Sequence, residues 1–186
     1  MEQQQLVAPP RPALRPSRPR EKDADVIQEA VKVALPRFIE YCESGGGETR
    51  GLDEDLTALL GGFYTDGYAM ARRLEREFHW AEDRELVDLC DGLGNALCDA
   101  HRKIVKEWID AFNVQPRFKI DTLVYVVVPC KKNDRIQREK LEGTITAVDE
   151  ARGEYTVYVP YLGHVRAGLG THGVILAWEA VEAVND

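Results

Sequence analysis

The chain has 186 residues, 24 Lys and Arg against 32 Asp and Glu for a formal net charge of −8, and 44% hydrophobic residues, the balance of one globular domain or two small modules. That charge works against nonspecific binding to nucleic acid or to an anionic membrane. Apolar runs such as "LVYVVV" at 123–128 fall far short of the roughly 20 residues of a membrane span, and the opening segment lacks the apolar stretch of a secretory signal, so no membrane partner and a cytoplasmic location are expected.

Residues 1–22 interleave Pro9, Pro10, Pro12, Pro16 and Pro19 with Arg11, Arg15, Arg18 and Arg20. Such a composition favours extended polyproline II and cannot build a core, so a disordered arm is expected. Five basic against two acidic residues make the arm +3, opposite in sign to the whole chain.

Residues 23–115 read as a three-helix module. Ile27, Val31, Ala34, Phe38 and Cys42 recur at helical spacing, with a kink expected at Pro36 and a stop at the glycines of 45–47. A second stripe runs from Leu52 through Leu56, Leu60, Phe63, Gly67, Met70 and Leu74 to Phe78, and a third from Leu86 to Phe112. A short link near 79–82 should fold these two long helices into an antiparallel hairpin, with Gly67 opposite Gly94. The module carries twenty acidic against ten basic residues, or −10, and holds most of the acidity of the chain.

From 116 to 186 the period changes. "TLVYVVVP", "GTITAV" and "EYTVYVPYL" are rich in Val, Thr and Tyr between turn residues, as short strands are. "DEARGE" at 149–154 reads as a hairpin connection in which Gly153 takes a positive φ, and "GVILAWEAVEAV" as a strand, a tight turn at "WEA" and a last short strand. Helices followed by such strands make an α+β chain ending in a small barrel. The strings "EGTITAVDEARGEYTVYVP" and "AWEAVEAV" resemble the SH3-like small barrels of the KOW and Tudor type over roughly the last 70 residues. The resemblance implies a barrel that binds nucleic acid, modified side chains or other proteins.

No catalytic or cofactor-binding constellation emerges. "GLGTHG" at 168–173 matches the dinucleotide spacing, yet too little chain follows it for the helix, second strand and acidic partner that such a site needs. The cysteines Cys42, Cys90, Cys98 and Cys130 form no paired C-x-x-C and are expected as buried thiols. His79, Cys90 and His101 are eleven apart, which aligns them only on one unbroken helix and leaves Cys90 and His101 about 16 Å apart, too far to share a metal ion. The acidic pairs Glu75/Glu77 and Asp83/Glu85 point away from each other on a helix.

The candidate binding residues are therefore basic and aromatic. Lys131, Lys132, Arg135 and Arg138 crowd the first connection of the barrel, Tyr158 offers an aromatic face, and His164, Arg166 and His172 lie on a glycine-rich loop that could meet an anion. Alternation sends Tyr155 and Tyr161 to one face of their strand and Tyr158 to the other. The expected function is that of a non-enzymatic adaptor or inhibitor, of the kind that phages and mobile elements encode, with another protein as partner. The alternative is a nucleic-acid-binding regulator using the basic rim of the barrel, which the −10 block disfavours.

Overall fold

Among the described residues, four helices precede a five-stranded antiparallel sheet, an α+β architecture: α1 (Ala24–Ser44), α2 (Leu52–Leu60), α3 (Gly67–Phe78), α4 (Arg84–Phe112), then β1 (Leu123–Lys132), β2 (Arg135–Asp149), β3 (Glu154–Tyr158), β4 (Gly173–Ala177) and β5 (Val181–Ala183). This computed structural model describes residues 17–45, 48–62, 66–80, 83–132, 135–160 and 173–184, with the backbone alone for 128–132 and 135–137.

The apolar stripe of α1 is buried as its spacing predicts, from Val26 to Cys42, with Pro36 inside the helix on its solvent side. Two contacts set α1 antiparallel to α4. Lys103 Nζ pairs with Glu29 Oε1 at 2.6 Å near the start of α1, and near its end the Tyr41 hydroxyl donates to Asp83 Oδ2 at 3.0 Å.

The single helix expected over 52–78 is instead two, so the module has four helices among the described residues and not three. Gly61 caps α2, and Asp66 caps α3 by accepting the Ala69 N–H at 2.8 Å. Two adjacent glycines cost the helix propensity that would carry it through, and a capping aspartate offers a new start. The stripe survives the break: Leu52, Leu56, Leu60, Met70 and Leu74 are all buried.

The crossing expected at Gly67 and Gly94 is also displaced. Gly67 packs against the first turns of α4, where its N–H donates to Asp91 Oδ1 at 2.7 Å and a Cβ would stand 2.6 Å from the Val87 carbonyl oxygen. Gly94 faces the end of Met70, whose Cε would lie 3.5 Å from an added Cβ. Only the first glycine is a close approach.

Helix α4 serves two cores. Leu86, Leu89, Cys90, Leu93 and Ala100 belong to the helical core, whereas Val105, Trp108 and Ile109 join a second core with Val114, Trp178 and the sheet residues Val124, Val126, Ile145, Tyr155 and Val157. Phe112, expected on the buried stripe, is 45% exposed. The buried face rotates because α4 changes its partner from helices to sheet.

The sheet has the order β4-β3-β2-β1-β5, and among the described residues no strand pairing closes it. Strand β2 divides its pairing, to β1 over 135–144 and to β3 over 144–149, with an irregularity between Ile145 and Ala147. Gly143 stands at that joint, where a Cβ would lie 2.6 Å from Val157 Cγ1. A one-turn 3-10 helix, Trp178–Ala180, joins the two edge strands. Four strand spacings would span about 19 Å in a flat sheet, and four Cα steps span at most about 15 Å, so the sheet must curl to bring its edges together at that corner. Gly153 takes φ 62° in the turn before β3, as the sequence predicts.

Candidate functional site

The candidates read from the sequence do not assemble into one site among the described residues. His164, Arg166 and His172, like the "GLGTHG" glycines before Gly173, lie outside the described residues. Lys131, Lys132 and Arg135 lie in the β1–β2 hairpin, with Lys132 opposite Arg135 at its tip, and Arg138 is exposed opposite Pro129. Strand β5 pairs only with 124–126 and β3 only from 144 onward, so among the described residues Val127–Lys132 and Arg135–Lys140 pair as strands only with each other. They form a two-stranded ribbon beyond the sheet. Lys140, at its base, is held by Glu182 at 2.6 Å and lies 4.6 Å above the Tyr125 ring.

Tyr155 and Tyr158 split as alternation predicts, and Tyr161 lies outside the described residues. Tyr158 is exposed at the end of β3, while Tyr155 is fully buried, its hydroxyl accepting the Phe118 N–H at 2.9 Å and its ring 6.0 Å from that of Trp178. These rings are core. Among the cysteines, Cys42 and Cys90 are buried and Cys98 is exposed, contrary to the expectation of four buried thiols. His79 caps α3 at φ 60°, Cys90 is in the helical core, and His101 Nε2 lies 3.1 Å from the Pro19 carbonyl. No group of three His, Cys, Asp or Glu among the described residues is placed to hold a metal.

Residues 17–22 of the arm run across the junction of helix and sheet. Arg18 donates to the Arg152 and Gly153 carbonyls at 2.6 and 2.9 Å and stands 3.8 Å from Glu154 and 3.7 Å from Glu179. Lys22 Nζ donates to the Gly62 carbonyl at 2.8 Å. The interior of the turn leaves room for Arg18 because Gly153 has no side chain: a Cβ there would lie 2.9 Å from Arg18 Nη1 and from Ile109 Cδ1.

A cleft of about 530 Å³ opens at the other end of the helical module, where the end of α1, the start of α2, the end of α3 and the start of α4 meet. Its wall is aromatic: Tyr41 and Trp80 stack at 6.3 Å with 11° between their planes, and Phe78 adjoins them. Glu48, Asp55, Asp83 and Glu85 line it against one arginine, Arg50, and His79. The left-handed backbone of His79 turns the chain out of α3, and the Trp80 N–H returns to the Leu74 carbonyl at 3.2 Å, which sets the indole over the cleft. Asp83 is doubly used, one oxygen capping Leu86 N at 2.7 Å and the other accepting from Tyr41.

The potential in this cleft is negative. Burial pushes the Tyr41 phenol up to about 12, aided by its hydrogen bond to Asp83 and the charges of Asp83 and Glu85. Burial also raises the Asp55 carboxyl, opposed by a hydrogen bond from Trp80 and assisted by the charge of Asp53. The Cys42 thiol, raised by burial, is kept from the thiolate form that a nucleophile needs. The arrangement is thus suited to holding a cation. Reading the sequence segment by segment missed this cleft because its residues come from the ends of four helices; the signal was the tryptophan in the link "FHWAED", where a solvated turn needs none.

Comparison of the chain with protein-family models, with curated proteins and with solved structures gave no match in any of the three.

Proposed function

We propose that this chain is a non-enzymatic interaction protein, an adaptor or inhibitor, whose acidic helical module docks on a basic protein while the sheet extends or orients the contact. The observation that supports it is the segregation of charge. Twenty carboxylates against ten basic residues fall in 23–115, while 116–186 is nearly balanced at ten against nine. Among those carboxylates Asp53, Glu54, Asp88, Asp91 and Asp99 are exposed on α2 and α4. A field of one sign on one module steers a partner of the other sign. For the sheet, the meander β1 to β4 with β5 returning beside β1 is the basis for reading it as an SH3-like barrel of the KOW and Tudor type.

The test is capture of a partner from the native host, its identification, and titration of that purified partner against the parent and a D53N/E54Q/D88N/D99N variant. A basic partner that binds the variant at least about tenfold more weakly, with a flatter salt dependence, is the expected result. A partner indifferent to the four substitutions, or turnover of a metabolite by the pure protein, overturns the reading.

The projecting ribbon favours a second reading, because a two-stranded β-ribbon of basic residues can enter the major groove of DNA. On that reading Lys131, Lys132, Arg135 and Arg138 contact phosphates. Replacing all four with Ser would then abolish a gel shift at about 150 mM salt, each lost phosphate contact lowering the salt slope by about 0.9. With a net charge of −8, we expect no shift from either protein.

A further inference from the structure

We propose that the cleft between Tyr41, Trp80, Asp55 and Glu85 binds the guanidinium of an arginine presented by a basic peptide segment of another protein. The inference rests on the reading of the helical module as a docking unit and names the group that docks.

The wall and the rim ask for different properties in one ligand. The Tyr41 and Trp80 rings are stacked nearly parallel, 11° apart with centroids at 6.3 Å, and both are half-buried on the cleft wall, so a flat cation can stack on a ring face turned to the cleft. Among the described residues the rim holds four carboxylates against Arg50 and a histidine, so an anion is repelled and a neutral ligand leaves the rim charges uncompensated. Guanidinium is flat, always charged, more weakly hydrated than ammonium and able to bond a carboxylate through two parallel N–H groups; lysine has the charge without the plane.

Among the described residues, no cationic side chain is bonded to Asp55. Asp55 is half-buried and its bond comes from the Trp80 indole, a neutral donor. Burial raises its carboxyl, and the charge of Asp53 raises it further. Asp83 is committed to Tyr41 and Leu86 N, which leaves Asp55, Glu48 and Glu85 to meet the ligand. Trp108 and Trp178 are buried in the sheet core, whereas Trp80 is half-buried at the cleft, so its indole N–H is a specific reporter.

The test is an NMR titration of the full chain with a capped glycine peptide carrying one arginine, beside the same peptide carrying lysine or citrulline. The Trp80 indole resonance, assigned with W80F, should move with the arginine peptide at concentrations up to about 10 mM, less with lysine and not with citrulline. D55N/E85Q should weaken the arginine response at least about tenfold while the Trp108 and Trp178 resonances stay in place, which shows the fold intact. Absence of any Trp80 shift, an equal response to citrulline, or an unchanged response in D55N/E85Q overturns the proposal. A Trp80 shift caused by R11Q/R15Q without added peptide would make the chain's own arm the occupant and overturn the assignment to another molecule. Failure here leaves the docking reading standing if D53N/E54Q/D88N/D99N still weakens the identified partner, since none of those four residues is altered in this experiment.

Discussion

Glycine has opposite uses at two helical positions. At Gly67 a Cβ would stand 2.6 Å from the Val87 carbonyl oxygen, inside any normal contact, while at Gly94 the nearest atom is the flexible end of Met70 at 3.5 Å. Gly94→Ala should therefore gain most of the roughly 1 kcal/mol of helix propensity that glycine forgoes. Gly67→Ala should lose about 1–3 kcal/mol, because α3 must move away from α4. Thermal melts of the two variants, shifted in opposite directions, would confirm the displaced crossing; equal shifts would contradict it. The cleft carboxylate adds a pH signature. Asp55 has a folded pKa raised by burial, so its contribution favours the fold while it is protonated and is lost as pH rises through its titration range. Asp55→Asn, which keeps an acceptor for Trp80, should raise the melting temperature at pH 7 and lose that advantage below about pH 4. Tyr41 has the same sign at the alkaline end: its phenol, raised to about 12, supports the fold up to the ordinary tyrosine range and ceases to do so through about pH 12. Tyr41→Phe should flatten the loss of stability between pH 10 and 12.

At the scale of elements, the segment 17–22 acts as a strap. Arg18 bonds two consecutive carbonyls in the turn before β3 with a side chain only 16% exposed, and Pro19 meets His101 on α4. Arg18→Gln should cost about 1–3 kcal/mol, since hydrogen bonds from a charged donor in a partly buried place are the strong ones. The ion pairs at 3.7 and 3.8 Å add little, so high salt should change the cost only slightly, which chemical denaturation with urea at two ionic strengths would show. The break between α2 and α3 lies at the same level. One apolar stripe was legible across 52–78, but a stripe of that period is equally well buried by two helices in line, and the glycine pair with Asp66 decided for two.

In the whole molecule, α4 makes one body of two cores. Ala100 is its last fully committed residue on the helical side and Val105 its first on the sheet side, with no interruption of the helix between. Unfolding one core should therefore pull on the other, and calorimetry should show a single transition. Lys103→Pro, at an exposed position between the cores, removes a helix bond and clashes one turn back at a cost of about 3 kcal/mol. The single transition should then separate into two; one sharp transition at a lower temperature would mean that the cores couple by some other route.

The sequence by itself determined what depends on neighbours along the chain. The buried stripe of α1, the positive φ of Gly153 and the strand-turn-strand course of 173–183 all follow from local period and turn chemistry, and all are present. So does the division of charge between 23–115 and 116–186, which composition alone sets. Tertiary structure alone decided that α4 would rotate its buried face from helices to sheet, that Lys131, Lys132, Arg135 and Arg138 would stand on a projecting ribbon, and that Tyr41, Asp55, Trp80 and Glu85 would meet in one cleft. The physical reason is common to the three. Each depends on which surfaces meet across long separations in the chain, and hydrophobic periodicity says that a face will be buried without saying what will bury it.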